Sequence, residues 1–418
     1  MLHTAALRAA ATAAALFGAL ALPACDKKSD PANQAAAGNA RDKPGTDTPA
    51  SSPTIKIGLI ASFSGPFADM GKQMQGGVKA YLQEHGETVA GKKIELLIRD
   101  TTGPVPEVAK RLAQELVVRD KVDFLVGFGL TPEALAVAPV ATEAKTPMII
   151  MNAATSIITT KSPYIVRMSM TLPQVASPMG DWAIKNGIKK VATLVADYGP
   201  GIDAEAAFKK TFTAAGGEVV EAIRVPLKNP EFSAFVQKIK DGHPDAVFVF
   251  VPAGDQPIAF MKSFHERGLA EAGIKIIATG DLTDDHTLQT IGDPAIGVVT
   301  TFHYSLAHDS PENAAFLKAY LAANGAEAGP ANFMSVAAYD GMAAIFDVER
   351  KLNGAMDADK ALAILKGFTA QSPRGPISID PETRDIVQTV YVRRVDKVGT
   401  ELRNVELSQF ANVKDPGK

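Results

Sequence analysis

The 418-residue chain has one cysteine, one tryptophan and seven histidines. A lone cysteine rules out a disulfide framework. That cysteine, Cys25, closes an N-terminal apolar stretch, so the rest of the chain has no thiol for catalysis or for a cysteine zinc site. The histidines are too scattered to nominate a metal centre: H-E-x-x-H is absent, and "HERGL" at His265 lacks the second histidine. "DDH" (Asp284 to His286) reads as a helix N-cap and a solvated face rather than a metal cluster. Neither C-x-x-C nor G-x-S-x-G occurs, and no G-x-G-x-x-G follows a strand-like run. No segment reaches the roughly twenty apolar residues of a permanent membrane helix. Charge of either sign is not in excess: 43 Lys and Arg face 46 Asp and Glu, a net −3 that gives no nucleic-acid footprint.

What is present suits a globular protein. The chain is 46% hydrophobic and 21% charged, long enough for two medium domains. Its first 24 residues read as an export signal: Arg8, then the apolar stretch Ala9 to Leu22. "LPAC" resembles a bacterial lipoprotein box, with Leu22 and Ala24 fitting and Pro23 unusual; cleavage after "ALA" (Ala19 to Ala21) is the competing reading. Residues 25–53 carry no large apolar or aromatic side chain and cannot offset the entropy of ordering, so a flexible tether is expected. Lipidated Cys25 would anchor it, and Asp26 resembles an inner-membrane retention signal.

From Ile55 onward strand-like and helix-like runs alternate. "IKIGLIA", "KIELLIRD", "VDFLVGF" and "PMIIMN" are near-continuous apolar strands separated by amphipathic stretches, and Thr131-Pro132 reads as a helix N-cap with a first-turn proline. The pattern restarts with "KVATLVA", "EVVEAIRV", "DAVFVFV" and "IKIIATG". Two parallel sheets in tandem, each covered by helices, follow from this. After "GVVTTFHY" come three helices and then the strands "PISI" and "IVQTVYVRRV", a chain that passes between two halves more than once.

"GPFADMGKQ" (Gly65 to Gln73) invites comparison with a phosphate-binding loop. Five residues rather than four separate its glycines, and Gln73 stands where a hydroxyl would bind magnesium, which excludes nucleotide binding there. The remaining candidates are turns after strands, where open parallel sheets hold ligands. They are Ser62 to Gly71, Gly127 to Glu133, Met151 to Ser156 and Ala196 to Gly201. Thr131 and Thr155, with the amides of Ala153 and Ala154, could donate to a carboxylate; the plainer alternative is a helix cap and a tight packing turn.

The order and spacing of "IKIGLIASFSGPFADMGKQMQGGVKAYL", "VDFLVGFGLTPEALAVAPVATEAKTPMIIMNAATS" and "VATLVADYGPGIDAEAAFKKTFTAAGGEVV" resemble the type I periplasmic substrate-binding proteins of branched-chain amino-acid ABC transporters. The resemblance implies a two-lobed α/β clamp with three crossovers, lobe I being 54–170 plus 303–378 and lobe II 171–302 plus 379–418. It implies a periplasmic, monomeric capture protein with no cofactor, no metal and no catalysis, which delivers a small carboxylated solute to an inner-membrane ABC permease. Carried onto this chain, Thr131, Ala153, Ala154 and Thr155 would grip the carboxylate, Tyr198 would close over the ligand, and Asp281 would pair with an α-ammonium. Met70 and Ala253 fall where aromatic residues often stand, which implies a roomier, more apolar pocket and admits larger amino acids, amides or aromatic carboxylates. A ligand sensor of the same fold and an α/β enzyme are the alternatives.

Overall fold

The computed structural model describes residues 54–417; Cys25, the export signal and the tether lie outside the described residues. The first sheet comprises β1 (Thr54–Ala61), β2 (Thr88–Val89), β3 (Lys92–Asp100), β4 (Phe124–Gly127), β5 (Met148–Ile150) and β6 (Ile165–Arg167). Their order is β2-β3-β1-β4-β5-β6, all parallel except the short β2. The second sheet holds β7 (Lys190–Ala196), β8 (Glu218–Val225), β9 (Ala246–Phe250), β10 (Lys275–Thr279) and β11 (Val299–Phe302), followed by β12 (Thr369–Ser372), β13 (Gly375–Ile379), β14 (Ile386–Val398) and β15 (Glu401–Val413). It runs β12-β13-β14-β11-β10-β9-β7-β8, with β15 on β14; β7 to β11 are parallel and the last four strands antiparallel.

The helices are α1 (Ala68–His85), α2 (Pro106–Gln114), α3 (Thr131–Glu143), α4 (Leu172–Lys185), α5 (Gly199–Ala214), α6 (Phe232–Asp241), α7 (Asp255–Glu266), α8 (Leu288–Ile291), α9 (Pro311–Asn324), α10 (Phe333–Lys351) and α11 (Ala358–Lys366). The strands β4, β5 and β9 are buried along their whole length because helices cover both faces, so they read in sequence as apolar runs instead of alternating. In the second half Phe208, Phe212 and Phe248 stack in series, with centroids 5.1 and 4.1 Å apart.

The chain crosses between the halves three times. It leaves the first after β6, returns after β11 so that α9 and α10 pack on α1, and crosses again after α11. Strand β12 and all but the last residue of β13, which fall inside the 303–378 stretch expected to stay with the first lobe, belong to the second sheet instead. β1 lies between β3 and β4, and β7 between β8 and β9, and the carboxyl ends at such a reversal are where these sheets bind ligands.

Candidate functional site

The loops after β1, β4, β5 and β6 meet those after β7, β9 and β10 in one narrow slot, with room at any point for little more than a water molecule. Met70, Thr131, Ala153, Ala154, Tyr198 and Asp281 all line it, so these residues from five turns spread over more than 200 positions converge. Two expected residues stand outside. Thr155 lies one layer back, its Oγ1 2.8 Å from Thr131 Oγ1, where it holds the front hydroxyl in place. Ala253 is buried nearby, but Phe250 and Pro252 form that wall.

The anion grip differs from expectation in one respect. The Ala153 N–H already donates to the Phe128 carbonyl at 2.9 Å, so it offers the slot only its methyl group. The Ala154 N–H makes no hydrogen bond to another described residue. Phe128, just past β4, holds a left-handed φ of 65°, an uncommon cost that turns the chain sharply into α3. Leu130 rather than Thr131 is the N-cap of that helix; Glu133 accepts from its N–H at 3.1 Å, which frees the Thr131 hydroxyl for Thr155. Behind the loop, fully buried Arg167 donates to the carbonyls of Ala153 and Thr155 and pairs with Asp385 at 2.7 Å.

The opposite wall is aromatic and acidic. Tyr198 precedes α5 and stacks on Phe250, centroids 6.1 Å apart and 21° from parallel. Burial, with the nearby Asp281 carboxylate, pushes its phenol pKa up. Asp281 follows β10, accepts from Thr279 Oγ1 at 3.0 Å, and makes no ion pair among the described residues. Burial raises its pKa to about 7, opposed by that hydrogen bond and by the field of Arg393. The pocket is therefore narrow, not roomy, and Phe250, Pro252, Met170 and Leu172 line it beside Met70. The sequence reading missed these four and Asn152, whose buried Oδ1 has no partner among the described residues while its Nδ2 donates to Gly129 O at 2.7 Å.

Two other expectations meet the structure. In the Gly65 to Gln73 loop the Gly71 N–H donates to Ser62 O at 3.0 Å, and Gln73 donates to Pro330 O at 3.1 Å, so the loop is spent on packing. Its Pro66 carbonyl lies 3.2 Å from the position of a β-carbon on Gly254, which makes it a rim of the crevice. The Asp284 to His286 stretch is not a solvated face. Asp284 and Asp285 are buried, held by Asn332 and by Asn404 and the Leu306 N–H, and no metal-type cluster exists among the described residues.

A closed crevice between two mixed, mostly parallel sheets, with a backbone amide and hydroxyls on one side and an aromatic-acidic wall on the other, defines a solute-binding protein of the type I periplasmic fold. Residues 54–400 match the periplasmic binding protein family, and the chain belongs to it. It is a solute-binding component of an ABC transporter and not an enzyme. It is 48% identical over 365 residues to Leu/Ile/Val-binding protein homolog 6 of Brucella melitensis, covering 87% of this chain and 93% of that one. Two solved structures are closely similar. The solute-binding protein of an ABC transporter from Rhodopseudomonas palustris BisB5, in complex with 3,4-dihydroxybenzoic acid, is 55% identical at a TM-score of 0.85, covering 88% of this chain and 99% of its own. One from Rhodopseudomonas palustris HaA2, in complex with p-hydroxybenzoic acid, is 48% identical at 0.85, covering 87% and 99%.

Proposed function

We propose that the protein captures a hydroxylated aromatic carboxylate in the slot and delivers it to an ABC permease of the inner membrane. The observation that carries this reading is the slot's lining: the stacked Tyr198 and Phe250 rings with the Met70, Met170 and Leu172 side chains, and polar groups from Thr131 and Asp281. Aromatic and thioether side chains pack well against a flat ring, which would enter before the crevice closes. The Ala154 N–H and the Thr131–Thr155 hydroxyl pair would take the carboxylate. Asp281 would meet a ring hydroxyl, a partner that a carboxyl with its pKa near neutrality accommodates in either protonation state. The two relatives holding hydroxybenzoates support the same class.

An amino acid is the second reading, favoured by the buried acid at Asp281 and by the Leu/Ile/Val-binding name of the Brucella relative. A sensor of the same fold would share the site; loss of uptake on deleting the permease distinguishes transport from sensing. Closure would be a hinge motion of two lobes, 54–170 with 303 to about 367 and 171–302 with the C-terminal strands, the boundary being drawn where β12 joins the second sheet. The working form would be a periplasmic monomer, tethered through lipidated Cys25. Titration calorimetry with 4-hydroxybenzoate, 3,4-dihydroxybenzoate, benzoate and leucine tests the reading. Tight binding of leucine and none of the ring acids would overturn it.

A further inference from the structure

We propose that Arg167 and Asp385 are positioning residues that aim the anion-binding amide and tie it to the hinge, so that gripping the carboxylate and closing the crevice are one event. This rests on the reading of the slot as a carboxylate site. The carbonyl and N–H of one trans peptide point in opposite directions. Arg167 Nη1 draws the Ala153 carbonyl backward, which turns the Ala154 N–H of the same peptide away from the guanidinium. Nη2 draws back the Thr155 carbonyl at 2.7 Å, and the Ser156 N–H of that peptide faces forward to meet Asp203 Oδ2 of α5 at 2.9 Å. One planar fork thus orients two alternate amides, one for the ligand and one for the second half of the molecule. A lysine ammonium has no such fork.

The third arm of the fork reaches from the first crossing to the second sheet. Asp385 belongs to the 380–385 turn that joins β13 to β14 in the second sheet. That turn docks on the first half: the Arg167 N–H donates to Arg384 O at 3.0 Å, and Arg384 Nε donates to Ile165 O at 3.1 Å. Thr159 Oγ1 donates to Asp385 Oδ2 at 3.3 Å. Arg167 itself is the last residue of β6, at the first crossing. The pair therefore ties the first crossing to a turn of the second sheet, directly behind the gripping loop. A buried ion pair is seldom retained for stability alone, since an apolar replacement is often as stable. A rotation of the halves that moves the turn off β6 would loosen the fork and with it the aim of Ala154.

The test uses the full chain and the variants Arg167→Lys and Asp385→Asn. Calorimetry compares 4-hydroxybenzoate with its uncharged isostere 4-hydroxybenzamide, alongside thermal unfolding and small-angle scattering with and without ligand. The expected result is at least tenfold weaker binding of the acid, less than threefold for the amide, and a smaller ligand-induced contraction. Equal losses on both ligands, or no loss on either, would overturn the proposal. Should Arg167→Lys fail to fold, Asp385→Asn keeps an acceptor for Nε and carries the comparison. If the wild type binds leucine instead of the ring acid, the proposed substrate class fails, and leucine against leucinamide makes the same comparison.

Discussion

Asp281 carries a conflict between stability and binding that can be measured. Its carboxyl is buried with one hydroxyl donor and no ion-pair partner, and its pKa is raised from 3.8 to about 7. Below pH 4 the acid is neutral in folded and unfolded chains and costs nothing. Between about pH 4 and 7 the unfolded chain has released the proton and the folded one still binds it, so stability falls as pH rises. Above pH 7 both are ionised and the full penalty stands. A displacement of about three pH units corresponds to a ceiling of about 4 kcal/mol, and relaxation around the site makes about 2 kcal/mol the expected effect. Asp281→Asn removes the titration. Urea unfolding without ligand at pH 5 and pH 8 should show the variant gaining about 1–2 kcal/mol on the wild type between the two. The same variant should bind 4-hydroxybenzoate about tenfold more weakly, because an amide still accepts one hydrogen bond. It should lose several kcal/mol for leucine, whose ammonium would be stranded. A variant less stable than wild type by the same margin at both pH values would mean that the carboxylate is not desolvated, and the reasoning would fail.

Three further substitutions probe the grip, the seam and the rim. Thr155→Ala deletes the hydroxyl that holds Thr131 and should weaken any carboxylate ligand by about 1 kcal/mol in calorimetry, with a small change in melting temperature. Gly199→Ala places a methyl 2.5 Å from Thr155 Oγ1, between the two halves; ligand affinity should fall at least tenfold while ligand-free unfolding barely changes. Gly71→Ala drives a β-carbon against the Ser62 carbonyl and the Phe63 ring, and should cost about 1–3 kcal/mol in denaturant melts whatever the ligand.

The alternation of strands and helices was legible because buried parallel strands advertise themselves as apolar runs. "KVATLVA" and "EVVEAIRV" coincide with β7 and β8 residue for residue. Helix α4 left no such trace, since Pro178 and Gly180 in its interior argue against a helix. Tertiary contacts supply what its sequence lacks. Near the break, the Val175 carbonyl accepts from Thr301 Oγ1 at 2.6 Å and the Ser177 carbonyl from Thr211 Oγ1 at 2.8 Å. Gly180 lets α5 come against α4. Strand β15 was hidden for the opposite reason: it pairs only with β14, much of it is exposed, and an edge open to water needs no apolar pattern.

The site divides along the same physical line. Strand-end turns are local features, so the turns holding Thr131 and Tyr198 could be placed at the crevice from sequence order and the rule that parallel sheets bind at their carboxyl ends, whereas Asp281 was implied by the family resemblance. The direction of a peptide is not local. Whether Ala153 or Ala154 faces the ligand is decided by Phe128 on one side and by Arg167 on the other, and Arg167 is held by a carboxylate 218 positions away. No window of sequence contains that pair. The walls follow suit: Met70 and Ala253 could be seen to lack bulk, but the side chains that fill the space, Phe250 and Met170, end strands or follow them and look like ordinary core. A pocket inferred from the residues that shrink is drawn too wide when its true width is set by residues that carry no binding signal. The amino-acid expectation had a different root, the family resemblance and the buried acid at Asp281, whereas the aromatic and thioether lining argues for a ring.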